Sequence, residues 1–443
     1  MKLIKISILF LAGYLGLSPA LSQGLTKEAL AENPELASLL FRPYPDQEID
    51  KLSDAPKGYR PFYVSHYGRH GSRWLSNKQE YNNVAGPLEK AAAAGALTPK
   101  GKQVYEKVKL ACEQASGIEG SLSPLGTSQH QGIAKRMYSN FPDIFANNAD
   151  IDARSTLTVR CVLSMNAFCM SLKEMNPAMT MNFEASDRTT SKLAHVYGIA
   201  NEIDPAYREF WKSGEFLKDT YAIAKEKMHS DDFLKSIFSK NIFSSQKEEM
   251  DFLFYLFYLV CDQQNVMPEN RMWDIYTPEQ LYWMTVAENF RAFAKFGPYP
   301  GTDKWTLTYA TPLLEDMLNR CDSAVNGNGR AADLRFGHDV VLMALLPLMG
   351  VNGCDNVSTD PLKIMEEWNL YDLTPMAANL QMVFYRPVNK DNGEVLVKLL
   401  LNEKEATLPI EAEEGKYYSW NKVRQHLINR IEQYRKNDTG KSN

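Results

Sequence analysis

A predicted β-strand runs into the pentapeptide Arg69-His70-Gly71-Ser72-Arg73, and no other feature constrains the fold of this chain as strongly. Two guanidinium groups flank an imidazole, and the glycine permits a sharp turn between them. Arginine is a planar, permanently charged fork that suits phosphate oxygens, and a neutral histidine can act as a nucleophile. The pattern predicts a histidine that accepts a phosphoryl group among cations. A basic surface turn is the alternative.

Predicted strands and helices alternate in the two outer parts of the chain. The predicted strands cover 59–67, 150–156, 179–183, 333–337, 380–385 and 395–401, with helices over 125–138, 160–175, 340–349 and 420–434 and within 88–114. Residues 187–296 are aromatic-rich and have only helical periodicity. This order predicts an α/β fold, a sheet flanked by helices with a mostly helical inserted domain. The core is expected over 23–186 and 297–443, the insertion over 187–296, and an extended lead-in over 23–58.

The N-terminus has the order of charge, apolar residues and small residues that is typical of a secretory signal. Lys2 and Lys5 precede the apolar stretch 6–17, which is too short to span a bilayer, and Ala20-Leu21-Ser22 offers small residues for cleavage. We expect residues 1–22 to be removed and the protein to be periplasmic or extracellular. An ordinary buried helix is the alternative. No later segment is predicted to cross a membrane.

The net charge and the cysteine spacing give no indication of nucleic-acid, membrane or metal binding. A net charge of −5 over 443 residues gives no reason to expect binding to nucleic acid or to an anionic membrane, so a cationic site would be local. The six cysteines would permit disulfides in an exported chain, or they are buried thiols, and the sequence does not choose between these states. None has zinc-site spacing with histidine, so neither a metal nor another cofactor is predicted.

Arg160 lies near the start of a predicted helix, where a cation is opposed by the helix dipole. An anion at that helix N-terminus would make the position favourable, because backbone N–H groups and the guanidinium would then act together. The alternatives are an exposed arginine and one paired with a carboxylate such as Asp152.

His338 and Asp339 follow a predicted strand and open an apolar helix. Ligands of α/β sheets bind beyond the carboxyl ends of strands, where His70 is also expected. A carboxylic acid beside a phosphate can protonate a leaving oxygen. Asp339 could equally be a helix N-cap, and the two roles are compatible because a cap uses one oxygen.

Taken in order, these segments resemble the histidine acid phosphatases, the second branch of the histidine phosphatase superfamily. The pentapeptide resembles the family signature. The matching segments that follow it are Ser123-Pro124-Leu125-Gly126 with Gln129-His130, Arg154-Ser155-Thr156 with Arg160 and Ala167-Phe168, Phe336-Gly337-His338-Asp339, Ala378-Asn379-Leu380 and Leu400-Leu401-Asn402-Glu403-Lys404. The resemblance covers most of 59–410, and the helical middle is matched least. Ordered co-occurrence is far more specific than one short motif.

Within this family the late motifs are most similar to multiple inositol polyphosphate phosphatases. Those enzymes typically carry His-Ala-Glu, with the acid two residues after the histidine. Here Val340 occupies that position and the acid is Asp339, as in acid phosphatases and many phytases. The departure leaves the substrate open among inositol polyphosphates, sugar phosphates and a broader set of phosphomonoesters.

The resemblance implies a role for each residue. His70 would attack phosphorus and form a phosphohistidine, while Arg69, Arg73, Arg160 and His338 hold the phosphoryl oxygens. Asp339 would protonate the leaving alcohol. The expected partner is a small phosphomonoester, and oligomeric state stays open. A catalytically silent phosphate- or glycan-binding relative and a phosphoryl-transfer mutase of the other branch are the alternatives. Intact His70 and Asp339 argue against the first, and the signal peptide and the position of Asp339 argue against the second.

Overall fold

A computed structural model describes residues 25–45, 51–194, 205–214, 217–389 and 393–438. The predicted signal peptide, 1–22, lies outside this part of the chain. Its centre is an eight-stranded sheet in the order β3-β2-β4-β1-β5-β6-β7, with β8 paired to β6. The strands are β1 (Tyr59–Arg69), β2 (Asp150–Ser155), β3 (Thr180–Ala185), β4 (Ala332–Gly337), β5 (Asn379–Pro387), β6 (Leu396–Leu401), β7 (Lys404–Ala406) and β8 (Tyr418–Ser419).

Strands β1 to β4 form a parallel half of the sheet, and β5 to β8 add an antiparallel half beside β1. The two faces of β1 are both covered, because Tyr63 packs into one hydrophobic cluster and its neighbour Val64 into another. Burial on both faces explains why the central strands carry few exposed polar residues. The predicted fold class, a sheet flanked by helices, is confirmed.

Helices cover both faces of the sheet and fill the middle of the chain. They are α1 (Lys27–Glu32), α2 (Lys78–Ala93), α3 (Pro99–Ala115), α4 (Pro124–Asn140), α5 (Val159–Met175), α6 (Asp187–Leu193), α7 (Pro205–Ser213), α8 (Lys218–Ala222), α9 (Ser230–Ile237), α10 (Gln246–Val266), α11 (Pro278–Phe296), α12 (Asp303–Thr306), α13 (Thr311–Val325), α14 (Asp339–Met349), α15 (Pro361–Glu367), α16 (Leu370–Leu373) and α17 (Trp420–Asp438). Short 3-10 turns cover Pro34–Phe41, Pro268–Asn270, Trp273–Ile275, Thr308–Ala310 and Val351–Gly353, and a π-turn covers Ile223–Lys227.

The helices that border the signature begin and end as their sequences predict. At the start of α4 the Ser123 hydroxyl accepts a hydrogen bond from Gly126 N, and Pro124 occupies the first turn. Helix α14 ends at Gly350, whose φ of 74° lies in the left-handed region that favours glycine.

The N-terminal segment differs from the predicted extended lead-in. Helix α1 and the 3-10 turn Pro34–Phe41 pack against α10 and α11, and they bury Ala37, Leu39 and Phe41. The prediction of an extended segment was wrong because prolines and polar residues masked a helical spacing of apolar side chains, which tertiary contacts stabilise.

The predicted insertion contains the helices α6 to α11, joined by loops and short turns, and none of the named strands lies in its described residues. The apolar run within 252–260 lies in α10 and is largely buried, and its core is continuous with side chains of α2, α3 and α14. Among the described residues, no helix combines the length and apolarity needed to cross a bilayer. The insertion boundaries, 187–296, stay a prediction.

Candidate active site

The parallel pairing of β1 and β4 brings the signature and the late His-Asp pair together. Arg69 is opposite Gly337 in the strand register, so His70 and His338 follow at the same edge of the sheet. Their ring centroids lie 5.9 Å apart. This edge is where the carboxyl ends of parallel strands meet, as the sequence predicted.

The signature loop (Arg69-His70-Gly71-Ser72-Arg73) packs backbone to backbone on the start of α4. A Cβ on Gly71 would lie 2.4 Å from the Gly126 carbonyl oxygen, and a Cβ on Gly126 would lie 2.2 Å from the Ser72 carbonyl oxygen. Ser72 N also donates to Gln129 Oε1 at 2.9 Å. Both glycines are therefore required by the close approach, which holds His70 in a fixed position.

One hydrogen bond sets the tautomer of His70. Its Nδ1 lies 2.9 Å from the Gly71 carbonyl oxygen, which can only accept, so Nδ1 carries the proton and Nε2 keeps its lone pair. Burial lowers the pKa of His70 well below its ordinary value, and the charges of Arg160, Arg69 and Arg73 lower it further. The imidazole is therefore neutral near neutral pH, the state a nucleophile needs.

Arg69 is fully buried and held on two sides. Its Nη1 donates to the Thr374 carbonyl oxygen at 2.8 Å and also to the Leu40 carbonyl oxygen. Its Nη2 lies 2.8 Å from Asp339 Oδ2. The guanidinium is thus oriented before any anion binds, so little side-chain entropy is lost on binding.

Arg73 and Arg160 reach the same site from different elements. Arg73 Nη1 donates to the Trp74 carbonyl oxygen at 3.0 Å, and its guanidinium lies 5.5 Å from the centroid of the Phe41 ring. Arg160 is the second residue of α5, and of the charged groups it lowers the pKa of His70 most. Asp152, the carboxylate that the sequence offered as a partner of Arg160, binds Arg154 and Arg320.

His338 lies between polar hydroxyls and the signature arginines. Its Nε2 is 3.2 Å from Thr156 Oγ1, and burial followed by the charge of Arg160 lowers its pKa to about 4. Its backbone N donates to Tyr67 Oη at 3.1 Å. The ring is therefore neutral near neutral pH.

Asp339 uses both carboxylate oxygens. Oδ1 accepts from Val340 N at 2.9 Å, and Oδ2 pairs with Arg69. It is the first residue of α14, so it is not the plain N-cap that the sequence allowed as an alternative; His338 holds the cap position. Burial by itself raises the pKa of Asp339, but the charges of Arg69, Arg73 and His338 outweigh it and hold the pKa below its ordinary value.

Sequence reasoning gave no role to two amides that anchor the signature loop. Gln129 Nε2 donates to Ser72 Oγ at 2.9 Å, and Ser72 Oγ donates to Asn265 Oδ1 at 2.7 Å. Asn265 is a buried polar residue near the end of α10, whose centre is apolar. That burial of a polar side chain is the signal that could have identified it, but it is visible only once the helix is placed.

Five of the six cysteines and His130 are buried in the core. All six cysteines are thiols in the structure, and Cys161 Sγ donates to the Gly337 carbonyl oxygen. His130 is buried against Phe168 and Phe336. Within the described part of the chain, no group of three or more His, Cys, Asp or Glu side chains is arranged to hold a metal ion.

The family model of the histidine phosphatase superfamily (branch 2) matches residues 68–402. The chain belongs to this superfamily branch. The matched range contains the signature loop, Arg160 and the His338-Asp339 pair, so the resemblance predicted from short motifs is confirmed across most of the chain. Membership makes the protein a histidine-type phosphomonoesterase.

Solved structures of a multiple inositol polyphosphate phosphatase and of two phytases share the fold. The multiple inositol polyphosphate phosphatase of Bifidobacterium longum, solved with inositol hexasulfate, is 22% identical with a TM-score of 0.72, over 88% of this chain and 97% of that chain. The phytase of D. castellii is 14% identical with a TM-score of 0.65, over 90% of this chain and 85% of that chain. The Hafnia alvei phytase is 12% identical with a TM-score of 0.53, over 86% of this chain and 99% of that chain. No curated protein matches the chain.

Proposed function

We propose that this protein hydrolyses phosphomonoesters through a phosphohistidine formed on Nε2 of His70. The hydrogen bond from Nδ1 to the Gly71 carbonyl oxygen carries the proposal, because it leaves Nε2 with a free lone pair. Burial and the charges of three arginines lower the pKa of this imidazole, so it is neutral without a separate base. An ordinary surface turn offers no such arrangement.

The first chemical step joins His70 Nε2 to phosphorus and breaks the bond from phosphorus to the leaving oxygen. Arg69, Arg73, Arg160 and His338 neutralise the charge on the phosphoryl oxygens of the in-line transition state. The carboxyl of Asp339 transfers its proton to the leaving alcohol oxygen. Water then attacks phosphorus, Asp339 takes its proton, and the bond to His70 breaks.

The ion pair between Asp339 and Arg69 fits this role. The carboxylate of Asp339 balances the positive charge of Arg69. A phosphate dianion would take over that balance, and the pKa of Asp339 would rise because the arginine charge no longer favours its ionised form. Substrate binding thus prepares the acid for proton transfer.

We further propose inositol polyphosphates as the substrate class. Support comes from the similarity in fold to a multiple inositol polyphosphate phosphatase solved with inositol hexasulfate, and to two phytases. Val340 at the position of the acid in the inositol-polyphosphate relatives favours a second candidate, a broad acid or sugar-phosphate phosphatase.

We propose that the protein is exported and acts in the periplasm or outside the cell. Support comes from Lys2, Lys5, the apolar stretch 6–17 and the small residues around Ala20. Sequencing the N-terminus of the protein recovered from its native host tests this, and a start near Gln23 is expected. An uncleaved Met1 would contradict export by this signal.

One experiment separates the candidate functions. The rates at which purified protein releases phosphate from phytate, glucose phosphates and an aryl phosphate are measured. In a second assay, the protein is mixed with radiolabelled substrate and rapidly quenched to capture acid-labile phosphate on the chain. A phosphatase specialised for phytate should release phosphate from it with the highest kcat/KM. Similar kcat/KM for all three substrates would favour the broad phosphatase, and binding without turnover would favour the silent relative.

The matched variants locate the phosphorylated side chain. His70→Ala should lose both turnover and acid-labile label, because it lacks the nucleophile. His229→Asn is the control, since His229 is exposed, has a left-handed φ of 56° that asparagine tolerates, and lies in the insertion. Label retained in the His70 variant would overturn the assignment.

A further inference from the structure

Asp262 is a buried carboxyl group beneath the signature loop, on helix α10 of the insertion. The residue is 0% exposed, and its Oδ2 has no hydrogen-bond partner. Its Oδ1 accepts from Asn265 Nδ2 at 3.2 Å. Buried carboxyl groups are costly unless they are paired or protonated, so a half-satisfied one requires an explanation.

A chain of oriented hydrogen bonds connects Asp262 with the signature. Asn265 Nδ2 donates to Asp262 and to the Phe41 carbonyl oxygen, which turns Asn265 Oδ1 towards Ser72. Ser72 Oγ donates to that oxygen at 2.7 Å and accepts from Gln129. Both polar atoms of the Asn265 amide are committed in this chain, so the orientation of the amide depends on the acceptor that Asp262 Oδ1 supplies.

Asp262 also acts on the arginines through charge. Burial raises the pKa of Asp262 to about 7, against the opposing charge of Arg73 and the hydrogen bond from Asn265. The charged and titratable groups around it are Arg73 and Arg69 of the signature loop, Glu80 and Tyr81 of α2, and Cys261 of α10. Burial raises the pKa values of Tyr81 and Cys261 above their ordinary values, so neither competes with Asp262 near neutrality.

We propose that Asp262 is a positioning residue of this phosphatase: it orients Asn265 against Ser72, and its protonation state sets how strongly the signature arginines bind an anion. The inference rests on the proposed function, since it takes the site around His70 to be the phosphate site. It extends that function to the helical insertion, which supplies an internal acid to a loop of the α/β core.

The direction of the effect follows from the charges. Below its pKa Asp262 is neutral, and Arg73 and Arg69 exert their full charge on the anion. Above it the carboxylate offsets part of that charge, so the affinity for an anion falls as pH rises. The Asp262→Asn variant resembles the protonated acid at every pH, and its amide oxygen can still accept a hydrogen bond from Asn265 Nδ2.

Sulfate is the probe, because its charge is constant between pH 5.5 and 8.5 whereas that of phosphate changes. Its affinity for wild-type protein, Asp262→Asn and Asp262→Ala is measured by calorimetry across this range. At pH 8.5 the asparagine variant should bind sulfate roughly fivefold more tightly than wild type, and at pH 5.5 the two should agree within about twofold. Asp262→Ala should bind more weakly than Asp262→Asn at every pH, because Asn265 loses its acceptor.

Asp251→Asn is the matched control, because Asp251 lies on the same helix and pairs with Lys247 at the surface. Its sulfate affinity should equal that of wild type at every pH. A gain of affinity at high pH is not what a damaged fold produces. Equal sulfate affinities for wild type and Asp262→Asn at pH 8.5 would overturn the role of Asp262 while leaving the phosphatase proposal intact. Absence of sulfate competition with substrate in wild type would instead overturn the phosphate site, and this inference with it.

Discussion

Arg69 Nη2 and Asp339 Oδ2 lie 2.8 Å apart, which links the first residue of the signature to the acid of the late His-Asp pair. The two residues are 270 positions apart in sequence numbering and meet because β1 and β4 are adjacent parallel strands. The charge of Arg69 lowers the pKa of Asp339 against the effect of burial. Under the proposed function, a phosphate dianion would compete for Arg69, and the pKa of Asp339 would then rise towards that of a proton donor.

Asp339→Asn should slow the release of poor leaving groups far more than that of good ones. An inositol or sugar alkoxide leaves badly without a proton, whereas nitrophenolate leaves without help. Single-turnover rates should fall by about 100-fold or more for phytate and by less than about tenfold for nitrophenyl phosphate. Equal losses for both substrates would identify Asp339 as a positioning residue only.

Gly71→Ala should disrupt the signature loop. The added Cβ would lie 2.4 Å from the Gly126 carbonyl oxygen, which belongs to backbone and cannot move aside cheaply. We expect the free energy of unfolding to fall by about 1–3 kcal/mol and turnover to fall with it. Denaturant titration and kcat/KM measure the two effects.

Gly86→Ala is the matched control for this substitution. Gly86 lies in helix α2, and a Cβ there meets nothing within 4 Å. The variant should keep full activity and change stability by less than about 1 kcal/mol, because the helix propensity of alanine is offset by the contact of its Cβ with Pro87, which follows it in the helix. A Gly71 variant as stable and active as this control would contradict the close approach.

Asp316→Asn should destabilise the sheet. Asp316 joins two strands, since its carboxylate accepts from Arg154 Nη2 at 2.7 Å and from Arg335 Nε at 3.0 Å. Breaking a buried ion pair costs about 3–5 kcal/mol, because the remaining charges stay buried. Asp274→Asn, whose partner Lys107 lies at the surface, should change stability by less than about 1 kcal/mol.

The same carboxylate predicts how stability depends on pH. Burial raises the pKa of Asp316, but the hydrogen bond from Arg154 and the charge of Arg335 outweigh it and hold the pKa well below its ordinary value. A carboxyl with a depressed pKa stabilises the fold above its unfolded pKa, and that stability is lost as pH falls. Denaturant titrations from pH 7 to pH 3 should show a steeper loss for wild type than for Asp316→Asn. Parallel losses would contradict the role of this ion pair.

Chelators should leave phosphatase activity unchanged. Arg69, Arg73 and Arg160 supply the positive charge that a metal provides in other phosphoryl-transfer sites. Activity is measured before and after dialysis against EDTA, and after addition of magnesium, calcium or zinc. Loss on dialysis with recovery on adding one of these ions would refute a site that relies on arginine.

Local patterns in the sequence were enough for the elements that border the site. The strand before the signature loop, the proline-started helix α4 and the apolar helix after His338 all form where their residues predict, because propensity, capping and burial agree there. The family resemblance followed from the order of these short motifs. It pointed to Arg160, whose position at a helix start was ambiguous by itself.

Contacts between distant segments could not be read from the sequence. The N-terminal segment 23–58 was predicted to be extended, yet Leu40 supplies a carbonyl oxygen to Arg69. The sequence patterns gave no role to Asp262 or Asn265, and only the packing of α10 beneath Ser72 brings them to the signature loop.

The sequence by itself determined the fold class, the family and the identity of the charged residues, because these depend on local periodicity and on short motifs in a fixed order. The tertiary structure alone decided which oxygen of Asp339 faces Arg69, which nitrogen of His70 is free, and which helix supports the signature loop. The physical reason is that pKa values and hydrogen-bond geometry are set by burial and by groups far away in sequence.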